Sequence, residues 1–366
     1  MEHTGRTIAH LAVTVLFFLS CAFFSLGMLI PGAAETADGG DMPRLLTEEG
    51  ISPTWRDDFE NWFSKHFAYR DRLVTAYSHL REFLFRTGND QVIVGKDGFL
   101  FFSETLDCYT GENPMTAEEL ESAAEAVANL SDYAADCGVP FLFVCAPNKN
   151  TVYGEYMPDT IPQRSGGTDA SDLTRLRALL NGRGVKTLDL RPILAAEKEN
   201  ALLYHKRDTH WNAEGARIAA KAILEAAGRT VPVWMDQPLT VVTKTFEGDL
   251  DSLLYPGEER YDEDFVLSIE DGFIYKGNYR TPMDMRVETE NVSGEGHGSV
   301  LMFRDSFGNA LIPQFGNAAE HVLFNRANPY RIDMLDGGGY DLVILEIAER
   351  NLRDLIGSDA RAAGES

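Results

Sequence analysis

Two short segments carry the residue types that acyl transfer requires. Ser306 sits in Arg304-Asp305-Ser306-Phe307-Gly308-Asn309, after the apolar run SVLMF and before the helix-like stretch FGNALIPQF. A serine at a strand-to-helix turn projects its hydroxyl above the sheet, and the first unpaired N–H groups of the following helix favour a developing oxyanion. The same placement also suits a serine that merely caps a helix. Asp208-Thr209-His210 holds what a serine nucleophile needs: an imidazole to take its proton, and a carboxylate to fix the imidazole's tautomer. The pairing requires a loop that bends Asp208 onto His210; otherwise Asp208 caps a helix and His210 faces solvent. His205 opens a metal reading, with His205, Asp208 and His210 as ligands, but no fourth protein ligand stands at a typical spacing, and no metal is expected. Asp305 is expected to organise the serine turn rather than act as a base, because neighbouring positions on an extended chain point apart.

These groups must be positioned by an α/β sheet, whose functional residues gather at the carboxyl ends of the strands. Four segments lie at such ends: Ala146–Thr151 after FLFVC, Lys206–Asn212 before a helix over 213–227, Arg304–Asn309, and Glu349-Arg350-Asn351 after DLVILEIA. FLFVCAP, VKTLDL, SVLMF, HVLF and DLVILEIA read as near-continuous apolar strands, alternating with helices over about 116–135, 169–181 and 213–227. That pattern predicts a mostly parallel sheet with helices on both faces. Residues 229–297 differ, with short β-like runs and no helical period, and read as a β-rich insertion. Upstream, 53–86 reads as one or two amphipathic helices rich in aromatics, and QVIVGKDGFLFF as a hairpin turning at Lys96-Asp97-Gly98. The expected organisation is an anchor over 1–30, a linker over 31–52, a catalytic domain over 53–356 and a flexible tail over 357–366.

The run from Ile8 to Ile30 is 23 residues without a formal charge, long enough to span a bilayer as a helix. Arg6 precedes it, and Glu35, Asp38 and Asp41 follow, so the N-terminus is expected in the cytoplasm and the remainder outside. Gly32-Ala33-Ala34 offers a signal-peptidase alternative, but the apolar run exceeds a usual signal core. The chain has 366 residues with 33 Lys+Arg against 57 Asp+Glu, a formal charge of −24. Such an acidic chain repels phosphate backbones, which excludes nucleic acid as a main partner. Of the four cysteines, Cys21 lies in the apolar run; Cys108, Cys137 and Cys145 allow at most one disulfide and show no zinc spacing.

DTHWNAEGARIAA and RDSFGNALIPQF together resemble the paired signatures of the SGNH hydrolase-like polysaccharide O-acetyltransferase group, the AlgJ/AlgX-like alginate enzymes and DHHW-motif proteins. In that group the Asp-x-His-Trp segment precedes the serine segment by about a hundred residues; here His210 and Ser306 are 96 apart. FSKHFAYRDRL, VIVGKDGFLFF, APNKNTVYGEYMPD, FEGDLDSLL and EIAERNL follow the group's other elements in order, over about 55–356. The resemblance implies a three-layer SGNH-like fold with Ser306 as nucleophile, His210 as base and Asp208 as its orienter. Asn309 is expected to support the oxyanion, Lys149 and Arg326 to line the site, and Trp211 to exclude water. It implies a polysaccharide acceptor, a separate multi-span membrane acyltransferase as acetyl donor, and no cofactor. Thr209 stands at the second residue of the DHHW pattern, where that pattern has its first histidine, and Arg304 where ordinary SGNH enzymes have glycine. An esterase using the same residues, and a non-catalytic glycan-binding subunit of an export complex, are the alternatives.

Overall fold

A computed structural model describes residues 2–28, 30, 41–47, 50–237, 240–266 and 271–358, with the side chains of 2–9 and 240–244 left aside. Residues 31–40 and 48–49 of the expected linker, with the triplet Gly32-Ala33-Ala34, and all but the first two positions of the expected tail lie outside the described residues. The chain divides into two units: Met1–Thr87 with Ser252–Glu259, and Gly88–Asp251 with Arg260–Ser366.

The first unit begins with α1, Glu2–Gly27. Its window His10–Gly27, of mean hydropathy 1.9, is long and apolar enough to cross a membrane. The aromatic stretch after it forms α2 (Trp55–His66) and α3 (Arg70–Phe85). Aromatic residues four apart stack along α2, Trp55 on Phe59 at 5.0 Å and Trp62 on His66 at 4.9 Å. Between the helices Tyr69 adopts a left-handed conformation, φ 62°. There the turn meets the end of α1, with Phe23 stacked on Tyr69 at 5.2 Å and Phe24 edge-on to Phe67 at 5.9 Å.

The second unit is built on a seven-stranded sheet. The strands are β1 (Val92–Val94) and β2 (Leu100–Phe102), which form the expected hairpin, then β3 (Phe141–Ala146), β4 (Thr187–Asp189), β5 (Thr240–Phe246), β6 (Asp262–Val266), β7 (Phe273–Tyr275), β8 (Arg286–Asn291), β9 (Ser299–Phe303), β10 (His321–Asn325) and β11 (Leu342–Ala348). The order in the main sheet is β4-β3-β11-β9-β10-β8-β7. The first five are mutually parallel, and β8 and β7 continue antiparallel. The β-rich stretch therefore divides: β5 and β6 pair with each other, while β7 and β8 extend the main sheet. Alternation along a strand reports its faces but not which sheet it joins, so this division is not legible in the sequence.

Side-chain alternation sends Leu142, Val144 and Ala146 to one face of β3 and Phe141, Phe143 and Cys145 to the other. The first face is covered by the helix Ala213–Ala227, whose Ala216, Ala219 and Ala220 permit close approach, and by Phe315 of the helix Ile312–Ala318. The second is covered by the helices Ala117–Asp136 and Asp172–Gly182 through Leu120, Val127, Leu173 and Leu176. Helices on both faces make the three layers expected. The capping box at Thr116 and Glu119, and the Asn212 side chain accepting from Gly215 N, fix where two of these helices start. All four cysteines are free.

Candidate active site

Ser306, His210 and Asp208 meet at the carboxyl end of the sheet. His210 Nε2 lies 2.9 Å from Ser306 Oγ, and Nδ1 lies 2.8 Å from Asp208 Oδ1. The second hydrogen bond closes because the loop bends as required: Asp208 Oδ1 also accepts from His210 N at 2.8 Å. Thr209 Oγ1 stands 3.0 Å from Nδ1 and donates its proton to Asp249 Oδ2 at 2.6 Å. Its proton is thus committed elsewhere, and an ionised Asp208 can only accept. Nδ1 therefore carries the hydrogen, and Nε2 faces Ser306 as an acceptor. Burial by itself would raise the Asp208 pKa, but hydrogen bonds and charge from His210, with a backbone N–H from Asp249, hold this carboxyl well below its usual range.

The two segments are held by groups of opposite kind. Around Ser306 the holders are carboxyls. Asp305 Oδ1 accepts from Phe307 N at 2.8 Å, while Oδ2 accepts from Ala348 N at 2.7 Å and Asn351 Nδ2 at 2.8 Å. Asp305 is the turn organiser expected. Beneath it, Glu346, fully buried on β11, accepts from Asp305 N at 3.3 Å and from the Gly308 N–H. Burial, then the nearby Asp305 charge, pushes the Glu346 pKa well up. A Cβ at Gly308 would lie 2.6 Å from Arg304 Cβ, so only glycine lets the turn settle there.

Around His210 the holder is an ammonium. Lys149 is 3% exposed, and its Nζ donates to the carbonyls of His205 (3.1 Å), Lys206 (2.9 Å) and Asp208 (2.6 Å). This corrects its expected place lining the site: three carbonyls consume its three hydrogens, and it staples the loop from beneath. Asp249 completes the clamp. Its Oδ1 accepts from Thr209 N at 2.8 Å, and its own N–H donates to Asp208 Oδ2 at 2.9 Å. Burial and then the Asp208 charge raise the Asp249 pKa. Asp249 was not singled out from the sequence. The available signal was Gly248 before it, where a Cβ would lie 2.1 Å from Arg207 O, so the segment must approach Asp208 without a side chain.

Other expected site residues are placed differently. Trp211 is 1% exposed, with Nε1 donating to Phe307 O at 3.0 Å and its ring edge-on to Phe307 at 5.2 Å. It ties the His210 segment to the Ser306 segment inside the core. Arg326 directs its side-chain hydrogen bonds to Met283, with Met283 O at 3.1 Å, and not to the three residues. The helix N-terminal amides expected to hold an oxyanion are engaged: Phe307 N–H by Asp305 and Gly308 N–H by Glu346. The element after Ser306 is a short 3-10 turn, Phe307–Leu311, before the helix Ile312–Ala318. Asn309 Oδ1 accepts from Arg304, which turns its Nδ2 outward to Met283 Sδ at 2.9 Å. The three residues of the metal reading do not converge: His205 is buried and stacked on Phe246 at 3.5 Å. Among the described residues Asp208, His210 and Asp249 bring donor atoms within 4.8 Å, but both carboxylates already accept hydrogen bonds through both oxygens.

Fold and segment order define an SGNH hydrolase-like α/β protein, and the resemblance to the polysaccharide O-acetyltransferase group stands. The family model of the SGNH hydrolase-like domain of acetyltransferase AlgX matches residues 92–264, a span that holds Asp208, His210 and Asp249 and ends before Ser306. In sequence the chain is 22% identical over 292 residues to the probable alginate O-acetylase AlgJ of Pseudomonas syringae, covering 80% of this chain and 70% of that one. It is 27% identical over 210 residues to the probable AlgJ of Pseudomonas aeruginosa, covering 56% and 51%. Among solved structures, Bacillus cereus PatB1 with a sulfonyl adduct superposes with TM-score 0.56 at 16% identity, over 75% of this chain and 99% of that one. A DHHW family protein from Eubacterium siraeum superposes with TM-score 0.54 at 18% identity, over 75% and 99%.

Proposed function

We propose that this chain O-acetylates a polysaccharide through an acetyl-serine intermediate on Ser306. The observation that carries the reading is the continuous hydrogen-bonded line from Asp208 through His210 to Ser306, with the His210 tautomer fixed as a base. The sequence likeness to probable alginate O-acetylases supports the acetyl group and the polysaccharide acceptor.

In the first step His210 Nε2 takes the Ser306 proton as Oγ bonds to the acetyl carbonyl carbon. The donor's C–O bond then breaks, and Nε2–H returns the proton to the leaving oxygen. In the second step a sugar hydroxyl gives its proton to Nε2 and attacks the acyl carbon, and Ser306 Oγ leaves with that proton. Asp208 stabilises the imidazolium in both steps. Asn309 Nδ2 is the side-chain donor suited to the oxyanion, because a thioether is a weak acceptor that it can relinquish. Lys149, Trp211 and Asp249 act as positioning residues. The donor is a multi-span membrane acyltransferase, and α1 anchors the protein with its second unit outside the cytoplasm.

The reading is tested by incubating the full chain with an activated acetyl ester, with and without candidate polysaccharides. Acetylated sugar exceeding free acetate supports transfer. Fast acetate release unaffected by any glycan replaces transfer with hydrolysis.

A further inference from the structure

Helix α3 is amphipathic in the reverse of the usual sense. The face carrying Thr75 and Ser78 is buried, with Thr75 Oγ1 accepting from Gly257 N at 2.9 Å. Around the helix from it, Leu73, Tyr77, Leu80 and Leu84 recur at the three-and-four spacing of one stripe, between 41% and 59% exposed, with Phe83 beside them at 84%. An apolar stripe of this size on a solvated helix calls for a cover.

Two observations identify the cover. Position is the first. The turn leading into α3 is where Tyr69 and Phe67 meet Phe23 and Phe24, at the far end of the apolar helix α1. Charge is the second. Within a chain of net charge −24, the segment 70–86 carries four arginines, Arg70, Arg72, Arg81 and Arg86, against Asp71 and Glu82. Arg70 is paired with Asp71 at 2.8 Å, which leaves Arg72, Arg81 and Arg86 as the basic groups, and Glu82 accepts from the Tyr255 hydroxyl. The Arg81 guanidinium lies over the Tyr77 ring, 5.8 Å from its centroid, at the border of the stripe. An apolar face edged by arginine and aromatic rings is the composition of a helix lying at a bilayer surface. Basic groups near the surface are drawn to anionic lipid.

We propose that α3 lies in the headgroup region of the bilayer that α1 crosses, with Leu73, Tyr77, Leu80, Phe83 and Leu84 immersed and Arg72, Arg81 and Arg86 on anionic phosphates. The proposal rests on reading α1 as a retained anchor. It makes the first unit a two-point membrane mount, one helix through the bilayer and one on it.

The test uses the native full chain in nanodiscs of phosphatidylcholine and phosphatidylglycerol that include a phosphatidylglycerol with a photoreactive group near its headgroup. After irradiation and trypsin digestion, lipid adducts are mapped by mass spectrometry. Adducts are expected on the α1 peptide and on the peptides Leu73–Arg81 and Glu82–Arg86. The pair Leu80→Gln and Leu84→Gln should lower adducts on those two peptides several-fold and leave the α1 yield unchanged. Adducts on α1 alone would overturn the proposal while keeping the anchor. Adducts on neither would remove the anchor reading and the proposal with it. Protection of the two peptides by a second copy or another protein, without lipid adducts, would also overturn it.

Discussion

The Ser306 turn and the His205–His210 loop deliver their side chains to one point by opposite electrostatic means. The turn presents N–H groups inward, and the carboxyls of half-buried Asp305 and fully buried Glu346 receive them. The loop presents carbonyls inward, and the buried ammonium of Lys149 donates to three of them. Each backbone arrangement selects the charged group that satisfies it, since buried polar groups left unpaired are costly. The comparison teaches that the two segments tolerate different substitutions. A buried carboxyl that is already favoured in its neutral form can be replaced by an amide that still accepts. Lys149 supplies N–H donors to three carbonyls, and no apolar side chain replaces them.

The largest expected effect lies where the segments meet. Ser306→Ala and His210→Ala should each lower turnover roughly 10³-fold or more with little change in melting temperature. The double variant should be little worse than either alone, because the groups act as a unit. Kinetics with an activated acetyl ester check both; additive losses would separate the two residues.

Next come the supports. Lys149→Met leaves three inward carbonyls without their donor and should cost about 3 kcal/mol or more of stability. Glu346→Gln should cost under about 1 kcal/mol, since an acceptor remains for Asp305 N. Chemical denaturation of the two variants in detergent gives the ratio, and equal losses would break the comparison.

The same buried lysine also has a pH signature. Burial lowers the Lys149 pKa from 10.5 to about 7. Between those values the unfolded chain holds a proton that the folded chain has released, so this group makes stability rise with pH across that window and is level below it. Lys149→Met, with no proton to release, should lose that slope. Melts at several pH values between 7 and 10 read it directly, and the same slope in both proteins would contradict the assignment.

Smallest is Asp249→Asn, which removes one charge-assisted acceptor from Thr209. About 1–1.5 kcal/mol is at stake, roughly tenfold in turnover, with Thr209→Val giving a similar loss.

The parallel strands, the helix Ala213–Ala227 with its Asn212 cap, and the pairing of Ser306 with Asp208 and His210 were legible because each is a local pattern or a motif in order. The supports were not. Lys149 reaches carbonyls up to 59 residues away, and Asp249 clamps Thr209 across 40. A loop lysine that turns inward reads in sequence as a solvated one, so Lys149 was expected at the surface of the site. Trp211 was expected to exclude water, and adjacency to His210 shows proximity, not the face on which a ring packs. The oxyanion donors were misplaced because the carboxyls that occupy Phe307 N–H and Gly308 N–H come from Asp305 and from Glu346 on another strand.

The central claim is a covalent acetyl on Ser306, and intact-mass measurement followed by peptide mapping tests it most directly. After brief exposure to an activated acetyl ester without acceptor, the protein should gain one acetyl group, mapped to the peptide containing Ser306 and absent in Ser306→Ala. Turnover into an acceptor glycan with no acetyl-enzyme at any time, and undiminished in Ser306→Ala, would contradict it.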